Sequence, residues 1–186
     1  MKIKVGSASP WGRVQFLHVI SEGVVQVSTA SHGGIKLDST RNAQLPRPLR
    51  NVGGWYEEDC EVAKVIAGLP ELFSEEDVGA AIASLKNWNP DEYEAWTGKE
   101  IPLSESGVKR ERAFKEANQQ NFVTRAAWGD WKAGVPKGMV GVLACRASDG
   151  AEGYFLIPQG EYAARAGAFV VDLARHQQVP DFTNVA

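Results

Sequence analysis

The chain is poor in cysteine, histidine and methionine, with two, three and two of these among 186 residues. Cys60 and Cys145 stand far apart and form no Cys-x-x-Cys pair. That excludes a disulfide framework and a paired-thiolate structural zinc. No run approaches the roughly 18 apolar residues that a membrane-spanning helix needs. The start, Met1-Lys2-Ile3-Lys4-Val5-Gly6, lacks the apolar stretch of a signal peptide, so a reducing cytoplasm is the expected location. Basic charge is not in excess either: 20 Lys and Arg stand against 23 Asp and Glu, with a pI near 5.7. Such a balance does not suit a dedicated non-specific nucleic-acid binder. The basic residues that role would use, Arg13, Lys36, Arg41, Arg47, Arg50, Lys109, Arg110, Arg112 and Lys115, are dispersed. Trp11, Trp128 and Trp131 are expected to serve packing rather than base stacking.

What is present fits one domain over 1–186, with 44% hydrophobic residues to build a core. Strands are expected over about 14–37 and 121–171, flanking a helical segment over about 55–119. Val14–Ile20 and Val24–Ser28 are β-branched runs joined by Ser21-Glu22-Gly23, the pattern of an antiparallel hairpin. Ile35–Leu37 adds a third extended piece, and Asp38-Ser39-Thr40 starts a helix that Pro46 and Pro48 break. A helix is expected from Tyr56 to Leu69, because Trp55, Asp59, Val62, Ile66 and Leu69 recur at helical spacing. Ser74 caps a helix to Trp88, Asn89-Pro90 restarts one to Trp96, and another covers Glu105 to Gln119. On that last helix Glu105/Lys109 and Glu111/Lys115 stand at pairing distance in sequence. Strands return at Phe122–Trp128, Met139–Ala144, Tyr154–Pro158 and Ala168–Val171, with a short helix over Gln159–Ala166. Strands, then helices, then strands define an α+β fold with a mainly antiparallel sheet.

Charge is unevenly placed. Trp55 to Glu100 holds 12 acids and 3 bases, a net of −9, so the remainder carries +6 of the total −3. Three helix starts fall in this window, and helix first turns favour acids. The other reading is a docking face of Glu71, Glu75, Glu76, Asp77, Asp91, Glu92 and Glu94, able to engage a basic surface.

Two polar motifs invite chemistry: Ser31-His32-Gly33-Gly34 and Trp55-Tyr56-Glu57-Glu58-Asp59-Cys60-Glu61. Cys60 in the first turn of a helix would feel its dipole, with His32 as base and Asp59 as the third polar group. The carboxylates around Cys60 oppose a thiolate, and an Ala-rich stripe favours a packed thiol. His32, Glu57, Glu58, Asp59 and Cys60 are also potential metal ligands. On a helix, however, consecutive residues point about 100° apart and cannot converge on one ion. No metal and no cofactor are therefore expected. The paired glycines lack the spacing of the Walker or dinucleotide fingerprints.

Trp11-Gly12, Ser31–Gly34, Gly54–Glu61, Val135-Pro136-Lys137-Gly138-Met139-Val140-Gly141-Val142 and Tyr154–Pro158 with Glu161-Tyr162 together resemble an uncharacterised domain family. Its members occur in phage, plasmid and other mobile-element proteins. This chain departs at Val62, where the family more often has Trp; the position stays apolar. The resemblance implies a mobile-element context, in the cytoplasm of a bacterial host, and transfers no catalytic residues. With the acidic segment, it leads us to expect a non-enzymatic accessory protein that binds and modulates a host protein. Inhibition of a host defence or nucleic-acid-processing complex is its most concrete form. The alternatives are a small thiol or hydrolytic enzyme using Cys60 and His32, or a module that positions larger partners through exposed tryptophans.

Overall fold

The computed structural model describes residues 3–182 and has the expected α+β class, with every strand pairing antiparallel. The chain divides into two compact units, Met1–Glu111 and Arg112–Ala186, each with its own four-stranded sheet.

The first unit opens with a two-residue ribbon, β1 (Ala8–Ser9) on β2 (Gly12–Arg13). A meander follows: β3 (Phe16–Ser21), β4 (Val24–Ser28), β5 (Gly33–Leu37) and β6 (Trp55–Glu57), in that spatial order. Both faces of this sheet are covered. Val24, Ile35, Leu37 and Tyr56 point into a core shared with Leu45, Val65 and Leu69. Val25 and Val27 point the other way, toward Val14, Trp11 and Trp55. Between β5 and β6 lies α1 (Ser39–Gln44), capped by Asp38, whose carboxylate accepts the Arg41 N–H.

The expected helix from Tyr56 does not form there. Trp55–Glu57 is the edge strand β6, the chain turns at 58–61, and α2 spans Val62–Gly68. Tyr56 explains the difference. It pairs with Ile35 across the ladder, is fully buried, donates its hydroxyl to Asn42 Oδ1 at 2.5 Å and accepts the Asn51 N–H at 2.9 Å. Those contacts need an extended backbone with Tyr56 on one face and Trp55 and Glu57 on the other. Burial also raises the Tyr56 hydroxyl pKa. Tyr56→Phe leaves both partners unsatisfied, so urea unfolding should show a loss of about 1–3 kcal/mol.

The helical segment packs on α2. α3 (Glu75–Trp88) begins at Ser74, whose Oγ accepts the Asp77 N–H, and α4 (Pro90–Thr97) follows after Asn89. Ala63 and Ala67 of α2 meet Ala81 and Leu85 of α3, with Leu49, Tyr93 and Trp96 closing the cluster. α5 (Gly107–Ala117) contains the division between the units. Its expected Glu105–Lys109 pair is replaced. Glu105 sits in a preceding 3₁₀ turn and pairs with Lys86 at 2.7 Å, while Lys109 reaches Glu94 at 2.6 Å.

The second unit is a meander of β7 (Phe122–Trp128), β8 (Met139–Arg146), β9 (Glu152–Pro158) and, after α6 (Gln159–Ala163), β10 (Gln177–Val179). Phe122, Val142, Ala144, Phe155 and Ile157 form its core with Phe169 and Val171. Residues 168–171 were expected as a strand; they make a single bridge, Val123 with Val170, and the fourth strand is β10. The N- and C-terminal strands thus form separate sheets, not one.

Candidate functional site

The two early motifs meet at the end of the β5–β6 ladder. Thr29 tightens the loop before β5: its Oγ1 accepts the His32 N–H at 3.2 Å and donates to the His32 carbonyl at 2.8 Å. β5 then pairs Gly34 with Glu57, and the Glu58 N–H donates to the Gly33 carbonyl at 3.1 Å. This pairing closes the gap in sequence. One ligand atom from each of His32, Glu57 and Glu58 lies within 4.8 Å of the others. His32 is exposed, with Nδ1 3.8 Å from Glu57 Oε1.

Glu57 is held from one side only. Its Oε2 accepts the Asp59 N–H at 2.8 Å, while Oε1 is sealed from solvent and accepts no hydrogen bond. The imidazole at 3.8 Å lies beyond hydrogen-bond reach. Glu58 lies over Gly33, where a Cβ would come 2.5 Å from its Oε2. The glycines let the strand, the carboxylates and the Trp11 ring approach this closely.

Cys60 lies in the turn before α2, not in a helical first turn as expected, and Glu61 stands at the N-terminal boundary of α2 without a side-chain capping bond, so the Cys60 thiol stays outside the helix. Its thiol pKa is raised, first by burial and then by Glu57 and Glu61. The thiol is therefore the protonated form at neutral pH. Among the described residues no hydrogen bond joins His32 to Cys60, and Asp59 and Cys60 are not part of the three-residue cluster.

The seven acidic candidates separate into two sets. Glu71, Glu75, Glu76, Asp77 and Asp91 are exposed at helix starts. Glu92 instead pairs with the buried Lys64 at 3.6 Å. Glu94 accepts from Lys109 and from the Ile101 N–H, and the Lys109 bond leads the causes that lower its pKa. Those two brace the unit. α3 also exposes Gly79, Ala80 and Ala83, and its last residue, Trp88, is 58% exposed. The basic candidates mostly brace loops: Arg13, Lys36, Arg41, Arg50 and Arg110 donate to backbone carbonyls. Among the described residues, no helix is long and apolar enough to cross a membrane.

Sequence reasoning missed His176, in the second unit. It is buried, its Nδ1 accepts the Asp172 N–H at 2.9 Å, and its Nε2 lies 3.2 Å from Glu161 Oε1. Arg175 holds the other Glu161 oxygen at 2.6 Å. Nothing flanking His176 in sequence marks it, since its partners come from α6 and a preceding turn.

These features define an α+β protein whose first unit carries both a His–Glu–Glu cluster and an exposed acidic helix. The chain belongs to the DUF7007 family, a domain of unknown function, which matches residues 4–119. That stretch includes both early motifs and stops short of Val135–Val142 and Tyr154–Pro158. No curated protein and no solved structure matches the chain.

Proposed function

We propose that this chain is a mobile-element accessory protein that binds a host protein and modulates it through the exposed surface of α3. The mobile-element context rests on the resemblance of its motifs. The observation that carries the binding reading is the make-up of the exposed surface along α3. Glu75, Glu76 and Asp77 stand at one end, small exposed residues lie between, and a largely exposed tryptophan sits at the other. Carboxylates steer a basic partner and set specificity, small residues let a partner approach, and tryptophan is the side chain most enriched at binding hot spots. A basic nucleic-acid-binding groove of a defence or processing complex is the matching partner chemistry. Blocking it would compete with the natural polyanion. The reading with Cys60 as nucleophile gains no support from a thiol whose pKa is raised.

Capture from a bacterial host lysate tests this, with the wild type beside Glu75→Lys/Glu76→Lys/Asp77→Lys, Trp88→Ala and a Glu116→Lys control. The expected result is a stoichiometric partner, retained by the control and weakened at least about tenfold by the triple variant and by Trp88→Ala. The loss in the triple variant should grow as salt is lowered, because its reversed charges then repel over a longer range, while that in Trp88→Ala should not. A partner held equally by all four proteins would overturn the assignment to α3.

A further inference from the structure

We propose that His32, Glu57 and Glu58 form a binding site for one divalent transition-metal ion, a site independent of the α3 face. On a helix these consecutive carboxylates would diverge. Glu57 ends a strand and Glu58 begins a turn, so the constraint that spreads consecutive helical side chains around an axis does not act on them. Their carboxylates and the imidazole instead gather to within 4.8 Å of one another. An ion about 2.0–2.2 Å from each donor would set the donors roughly 3–4.4 Å apart. The observed spread exceeds that by little, and His32 and Glu58 are exposed side chains.

A separate observation points to a cation. A carboxylate oxygen sealed from solvent without a donor is costly. Glu57 Oε1 is such an oxygen, and it faces His32. The other Glu57 oxygen is fixed by the Asp59 N–H, the kind of outer-shell bond that orients a metal ligand. Gly33 supplies the space in which the Glu58 carboxylate lies against the strand. One imidazole nitrogen with two carboxylates is a mixed donor set. It favours Zn²⁺ or Mn²⁺ over Ca²⁺, which takes six to eight oxygens. Three protein ligands with an exposed imidazole leave a coordination position for water or a substrate oxygen.

Calorimetric titration of Zn²⁺ and of Mn²⁺ into the chelator-treated full chain tests the proposal, beside His32→Ala, Glu57→Gln and Glu58→Gln. One ion per chain is expected, with affinity at least about tenfold weaker in each variant and Ca²⁺ unable to displace it. Should Glu57→Gln fail to fold, His32→Ala and Glu58→Gln carry the test, with water proton relaxation of bound Mn²⁺ reporting the open position. Binding of both ions weaker than about 1 mM would overturn the proposal. So would stoichiometric binding that survives His32→Ala and Glu58→Gln, which would place the ion elsewhere.

Discussion

Gly34→Ala is expected to destabilise the first unit by about 3 kcal/mol or more. The added Cβ would run into the Tyr56 carbonyl oxygen, and the Trp11 ring lies 2.5 Å from its position on another side. Gly34 sits in the central strand β5, paired with Val27 of β4 and Glu57 of β6. Neither neighbour is a flexible chain end that could move aside. The ladder must part, and with it the junction that holds His32 beside Glu57 and Glu58. Gly33→Ala provides the contrast. Its Cβ meets the end of the exposed Glu58 side chain at 2.5 Å, which can swing away, and the Val27 carbonyl at 3.0 Å. A loss of about 1 kcal/mol is expected there. Urea unfolding of the two variants checks the order. A Gly34→Ala protein within about 1 kcal/mol of wild type would contradict the close β5–β6 approach.

The second large effect falls in the other unit. His176→Ala should destabilise it by about 2–4 kcal/mol, since a buried ring is lost and the Asp172 N–H loses its acceptor. The ring packs against Phe169 with centroids 5.3 Å apart, while Nδ1 and Nε2 serve Asp172 and Glu161. Accepting at Nδ1 places the proton of the neutral ring on Nε2, where it donates to Glu161. Two conservative variants separate these roles. His176→Asn can keep the acceptor near the Asp172 N–H, and His176→Gln can reach Glu161. Each is expected to recover part of the loss, read by thermal unfolding. An alanine variant as stable as wild type would show that neither bond matters to the unit.

The fold was legible where local chemistry and tertiary packing agree. Ser74 with three acids after it marks the start of α3, and Asn89-Pro90 marks the break before α4. The β3–β4 hairpin follows from two β-branched runs around Gly23. Legibility failed where elements were short or locally contradictory. β6 is three residues long, and the apolar stripe from Trp55 to Leu69 mimics a helix; only the buried, doubly bonded Tyr56 selects the strand. β10 is Gln-Gln-Val, which carries no strand signal beyond its final residue. Residues 168–171 read as a strand because Phe169 and Val171 belong to the core, although they make only one bridge.

The same error governed the site. Read on a helix, Glu57 and Glu58 diverge and Cys60 gains a dipole. On a strand and turn they converge with His32, and Cys60 loses that dipole. Among the acids, exposure at helix starts was readable from the caps. That Glu92 and Glu94 are spent on Lys64 and Lys109 was not, because those partners are distant in sequence.

Amide hydrogen exchange of the full chain, alone and bound to the captured host partner, reads out whether recognition runs through α3. Slowed exchange is expected within residues 75–88, with little change at 29–34 and 55–60. Protection confined to those two early motifs, with α3 unchanged, would contradict that expectation and place recognition at the His32–Glu57–Glu58 cluster.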